Sequence, residues 1–197
     1  MRSLFIALSV LFIAYCRASM DVPLTVHGVV LPVLKEIGDG LLTLNGHGLR
    51  QFKFYGIQMD MYVAGLYSSD RLLEEEDVWE TDGPIIIDFV FLKAVNPGRM
   101  RFAWGYQMDM SVSHKNYPTY HDDREKFLSL LGSLDKMGVQ SVQMIGSDTV
   151  ILENGLEKGK IEGRNFQKAF LSMWFGQNPV TAEMKAGLLG SHTPVAA

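Results

Sequence analysis

Residues 44–70 read LNGHGLRQFKFYGIQMDMYVAGLYSSD. Aromatic and β-branched residues dominate, glycines punctuate the entry, and one arginine, Arg50, stands inside a strand-like run. Tyr62 follows among apolar neighbours. In a single extended strand the two would lie roughly 40 Å apart, at about 3.3 Å per residue. A hairpin brings them together. Residues facing each other across a hairpin sum to twice the turn centre, and for 50 and 62 that centre is Gly56. A loop of roughly three to five residues around Gly56 places Arg50 opposite Tyr62, with Cβ atoms about 5 Å apart. Arg50, Phe52, Phe54, Tyr62, Ala64 and Leu66 then share one face, apolar but for one cation and one phenol. That face reads as the floor of a pocket.

A buried guanidinium requires an anionic or carbonyl partner, because leaving it unpaired costs on the order of several kcal/mol. Two partners are open on the residues alone. One is an internal carboxylate such as Asp88, within its own strand. The other is a ligand carboxylate or enolate, gripped by guanidinium and phenol together.

Outward from this hairpin the chain divides into strands and then helices. The runs VHGVVLPVLKEIGDG and LLTLNGHGLRQFKFYG are short apolar stretches broken by Gly and Asp, and IIIDFVFL (85–92) reads as a buried strand. Asn45-Gly46-His47-Gly48 has neither GxGxxG nor P-loop spacing and reads as a tight turn. The acidic run LLEEEDVWETDG reads as a solvated turn or short helix. Asn96-Pro97 caps and starts a helix to about Val112. In HDDREKFLSLLGSLDKMG, Phe127, Leu130, Leu131 and Leu134 share a helical face, with Asp122 and Asp123 near its positive end. VQSVQMIG and DTVILENGLEKGKIEG read as two or three strands with Asn154-Gly155 as a hairpin turn. RNFQKAFLSMWFG sets Phe166, Ala169, Phe170, Met173 and Trp174 on one helical stripe, ended by Gly176 and Pro179, and a short helix covers TAEMKAGLL. Strands first and helices later predict an α+β fold.

The 197 residues are 47% hydrophobic and 20% charged, enough for one ordinary globular domain, expected from Ser19 to about Gly190 with a frayed tail from about 191. At the N-terminus, Arg2 precedes an apolar run from Ser3 to Tyr15, with small residues at Ala18 and Ser19. The run is short for a bilayer span and matches a secretory signal over residues 1–18, cleaved after Ala18. A retained anchor is the alternative; lipid attachment at Cys16 is disfavoured by Tyr15 before it. Cleavage removes Cys16, the only cysteine, and with it any disulfide, zinc-cysteine site or thiol nucleophile. It also removes Arg2 and Arg17 but no acidic residue, so the formal charge moves from −4 to −6. That sign disfavours a nucleic-acid partner.

Other chemistry is weakly signalled. HKNYPTYH holds His114 and His121, with Asp122 or Asp123 as a conceivable third metal ligand, but Pro118 makes it a polar surface loop. No serine lies in a GxSxG elbow. The Met-rich QMDMYV and YQMDMSV read as core packing, or as the lining of an adaptable cavity. No metal and no cofactor is expected.

LNGHGLR followed by MDMYVAGLYSSD, with the closing NFQKAFLSMWFGQNPVTAEMKAGLLG, resembles the chalcone isomerase superfamily, above all its bacterial, signal-bearing chalcone-isomerase-like members. The similarity spans about Leu41 to Gly190. It implies an open-faced β-sandwich, a large antiparallel sheet covered by helices with a ligand cleft between. It places the family's arginine on Arg50. Tyr62 stands where the plant enzymes resemble one another in a threonine, the tyrosine and asparagine after their central strand have no match in LKAVNPGRMRFAW, and their late-helix Ser/Thr falls near Gln167. These departures argue against flavonoid cyclisation. An Arg with a Tyr at the cleft resembles instead the fatty-acid-binding branch, where such a pair holds the carboxylate.

The expectation is therefore a secreted, periplasmic, non-catalytic binder of a fatty acid or similar apolar carboxylate, with Arg50 and Tyr62 as its site. Two alternatives stand beside it. One is an intramolecular lyase of chalcone isomerase type acting on a polyphenol-like ligand, with the same two residues catalytic. The other is an interaction module that kept the fold and lost the pocket. Once processed, the chain is expected to keep no membrane span, and the sequence leaves its oligomeric state open.

Overall fold

The computed structural model describes residues 22–38, 40–112 and 119–190. The N-terminal stretch that reads as a secretory signal, with Cys16, the loop residues His114 and Tyr117, and the tail from 191 lie outside the described residues. A two-stranded ribbon, β1 (Leu24–Val26) and β2 (Val29–Leu31), precedes a seven-stranded antiparallel sheet whose spatial order is its chain order. The sheet comprises β3 (Leu34–Ile37), β4 (Gly40–Phe54), β5 (Ile57–Ser68), β6 (Ile85–Phe91), β7 (Val139–Ile145), β8 (Asp148–Glu153) and β9 (Leu156–Glu162). The helix α1 (Glu75–Glu80) joins β5 to β6. Between β6 and β7 come α2 (Pro97–Ser111) and α3 (Tyr120–Leu130), and after β9 come α4 (Arg164–Phe175) and α5 (Ala182–Leu188). Mixed α+β architecture with an antiparallel sheet under helices is the arrangement the sequence predicts.

All seven residues of β6 are buried, so both of its faces are covered. Ile85, Ile87, Phe89 and Phe91 enter the main core with side chains from all five helices. Ile86 and Val90 join Val63, Tyr67, Leu42 and Leu44 in a smaller core on the far face, closed by Val29 and Leu31 of the ribbon. On α4 the predicted stripe of Phe166, Ala169, Phe170, Met173 and Trp174 is buried throughout. At the start of α2, the Asn96 side chain accepts from the Arg99 N–H at 2.9 Å, and Pro97 occupies the first turn. Asn154 and Gly155, both at positive φ, make the β8–β9 turn as read.

Two elements depart from the sequence reading. Residues 45–48 are not a tight turn but the interior of the long strand β4. Their glycines serve close approach, because a Cβ at Gly46 would lie 2.3 Å from the Gly187 carbonyl oxygen and one at Gly187 2.3 Å from that of His47. Helix α3 stops at Leu130, so Leu134 does not continue its face. It pairs instead with Val95 through two backbone hydrogen bonds of 2.8 and 3.0 Å, and the Gly132 N–H that follows the helix goes to the Glu153 carboxylate at 2.7 Å.

Candidate functional site

The site is built on the β4–β5 hairpin, and two bulges decide what it presents. In the register Leu44 faces Tyr67 and Gly46 faces Leu66, leaving Asn45 as the extra residue. Its amide is used fully. Nδ2 donates to the Leu72 and Leu188 carbonyls at 2.7 and 2.9 Å, and Oδ1 accepts from the Leu72 N–H at 2.8 Å. Asn45 thus clasps the end of α5 and the chain leaving β5. Beyond the bulge, Gly46, Gly48 and Arg50 pair with Leu66, Ala64 and Tyr62, which belong to the helix-side core. Helix α5 lies directly on the two glycines. Arg50 is the first residue of that row to carry a side chain.

Arg50 pairs with Tyr62 as the sequence predicts, though by another route. The turn is the two residues Tyr55 and Gly56, at φ 46° and 81°, rather than a longer loop centred on Gly56. Taken alone it would set the register one residue off. A second bulge, between the Arg50–Tyr62 and Gln51–Asp60 pairs, restores it by inserting Met61.

The Arg50 guanidinium is half-buried and donates to the Gln51 carbonyl at 2.6 Å. No carboxylate among the described residues forms an ion pair with it. Tyr62 is buried among rings. Phe89 meets it edge-on at 5.4 Å, Phe91 lies 5.6 Å away, and Trp104 of α2 stacks on it at 6.1 Å. Burial pushes its hydroxyl up to about 12, outweighing the opposing pull of the Arg50 charge and of the Trp174 indole. Trp174 Nε1 is near enough to favour the phenolate yet outside ordinary hydrogen-bond geometry, and it is buried without a partner among the described residues. At neutral pH the locus offers a fixed cation, a neutral phenol O–H and an indole N–H: donors, with no negative charge of its own. An acceptor anion suits it.

Asp88 does not fill that role. It stands on the opposite face of β6, where the Lys35 ammonium pairs with it while lying 5.0 Å above the Tyr67 ring. Gln167, near which the resemblance puts the plant enzymes' Ser/Thr, is spent on the backbone, donating to the Gly146 and Asp148 carbonyls at 3.2 and 3.0 Å. Sequence reasoning assigned Trp174 to core packing alone and missed its unpaired N–H. Only the placement of α4 over β5 reveals it. A groove of about 460 Å³ opens elsewhere, between the His27–Gly28 turn, the start of β5 and Lys93 and Lys136, and contains neither Arg50 nor Tyr62. Among the described residues no group of His, Cys, Asp and Glu could hold a metal ion.

Comparison with known proteins agrees with this architecture. A fatty-acid-binding protein of Arabidopsis thaliana, known from its crystal structure, superposes with a TM-score of 0.65 at 16% sequence identity, covering 86% of this chain and 95% of its own. No curated protein sequence matches. The model of the chalcone isomerase-like family matches residues 23–190, which is nearly every residue of the sheet, the ribbon and the helices. The chain belongs to the chalcone isomerase-like family.

Proposed function

We propose that the protein binds a fatty acid or similar apolar carboxylate without transforming it. The carboxylate sits between the Arg50 guanidinium and the Tyr62 hydroxyl, and the acyl chain runs beneath the helices. The observation that carries this reading is the guanidinium itself. It is half-buried, holds one backbone carbonyl, lacks a carboxylate among the described residues, and stands across from a buried neutral phenol. The fatty-acid-binding protein that shares the fold supports the same ligand class. Rings of Phe89, Phe91 and Trp104 occupy the layer above Tyr62, so the chain enters as α2, which carries Trp104, shifts outward.

Native mass spectrometry of the protein beside Arg50→Ala tests this directly. The expected result is an adduct of fatty-acid mass on the first and none on the second. Bare protein in both cases, with no uptake of added palmitate, overturns it. A second reading, intramolecular lyase, draws on the neutral Tyr62 phenol, which is suited to polarise an enone carbonyl while Arg50 stabilises a substrate phenolate. It requires Arg50-dependent loss of chalcone absorbance above the spontaneous rate.

Export is part of the proposal. The apolar run after Arg2 acts as a cleaved signal, which places the binder outside the cytoplasm, in a bacterial periplasm. No helix of the described residues is long and apolar enough to cross a membrane. N-terminal sequencing of the protein recovered from cells, reading SMDVPL, is the expected outcome.

A further inference from the structure

Gln140 of β7 is wholly buried, and among the described residues neither its amide nitrogen nor its amide oxygen has a hydrogen-bond partner. Few native side chains forgo donor and acceptor together, because each orphaned group costs free energy that water would have supplied. Its position makes the cost informative. Gln140 shares its side of β7 with Val142 and Met144 of the main core, so it faces the helices, on the same surface as Tyr62. In register it lies between Phe89 of β6 and Glu153 of β8. Glu153 is already committed to the Gly132 N–H and to Lys158. The far-face orphans Tyr67, Asp88 and Ser141 differ in kind. Asp88 faces Ser141 in register and, after burial itself, raises the proton affinity of the Tyr67 hydroxyl, so these polar groups lie together, while Gln140 stands among apolar side chains.

We infer that Gln140 is a second polar contact for the ligand, and that the preferred ligand is an oxygenated acyl chain, bearing a hydroxyl or keto group near its middle. This rests on the carboxylate reading of Arg50 and Tyr62. Tyr62 pairs with Phe91, and Gln140 with Phe89, so Gln140 stands two strands across and two residues along from Tyr62. Strand spacing and rise put that separation at roughly 12 Å, which an extended acyl chain covers in about nine or ten carbons. A hydroxyl there can donate to the amide oxygen and accept from the amide nitrogen, satisfying both orphans at once.

Isothermal titration of the protein with stearate and with a mid-chain hydroxystearate, repeated on Gln140→Leu and Gln140→Asn, tests the inference. The hydroxylated chain is expected to bind about threefold to tenfold tighter than stearate. That preference should disappear in Gln140→Leu, and Gln140→Asn should retain part of it. Equal affinities, or a preference that survives Gln140→Leu, overturn the role of Gln140 and leave the carboxylate site standing. Failure of both acids to bind overturns the carboxylate site and this inference with it.

Discussion

On the far face of the sheet a buried carboxylate, Asp88, has its own ammonium in Lys35; on the helix-covered face a half-buried guanidinium, Arg50, has a backbone carbonyl and, among the described residues, no carboxylate. Both charges stand on interior strands and both have an aromatic ring beside them, Tyr67 in one case and Tyr62 in the other. The far-face charge is neutralised within the chain, beside the smaller core that Val29 and Leu31 of the ribbon close. The helix-side charge is left incomplete beside a phenol whose proton is firmly held. A charge that serves the fold is neutralised by the fold, whereas one that serves a ligand is kept for it.

Single substitutions sharpen this contrast. The largest loss is expected from Lys35→Met, which strands the Asp88 carboxylate at 5% exposure and should cost about 3 kcal/mol in urea unfolding. Adding Asp88→Leu should recover most of it, because an apolar pair leaves no orphaned charge. If Lys35→Met unfolds like the parent, the far-face pair is not structural and the contrast breaks. Gly46→Ala, which drives a methyl into the backbone of α5, should cost roughly 2–3 kcal/mol, read from the same experiment.

An alkaline series probes the phenol. The folded protein holds the Tyr62 proton to about pH 12, while an unfolded chain releases it near 10. Its contribution is therefore intact below pH 10 and is lost as pH rises toward 12, an effect of about 2 kcal/mol. Burial also raises Tyr67 and Tyr120, so Tyr62→Phe should flatten part of the decline and no more. Parallel urea curves near pH 9 and pH 11 read about half of it, on the order of 1 kcal/mol. Arg50→Met should be the mildest change of all in ligand-free protein, within about 1 kcal/mol, since no internal ion pair is lost. Palmitate affinity should nevertheless fall at least about tenfold. A ligand-free cost comparable to that of Lys35→Met would make Arg50 a structural charge after all.

Much of this arrangement is readable in the chain. Helical spacing places Phe166, Phe170 and Trp174 inside, and the expected pairing of Arg50 with Tyr62 is present, though only because the Met61 bulge offsets a turn shorter than the one expected. What is not readable is whatever depends on a distant partner. LNGHG looks like a turn because nothing local says that α5 will lie on it. Bulges at Asn45 and Met61 change parity without leaving a mark in the alternation. Asp88 reads as a partner for Arg50, but alternation along β6 sets it on the other face, with Ile86 and Val90, where Lys35 meets it. The orphaned amide of Gln140 and indole of Trp174 are visible only once their neighbours are known to offer nothing.

The clasp between β4 and α5 bears on how the chain is made. Asn45 and Leu188 stand 143 positions apart, so β4 leaves the ribosome long before its cover exists. Until the final helix arrives, Gly46, His47 and Gly48 present bare backbone that no side chain shields, next to an acceptor surface for any extended peptide. Contacts of such long reach are slow to close. Closure of the fold is thereby tied to the arrival of α5, and a chain without 182–188 leaves β4 uncovered rather than forming a smaller version of the same domain.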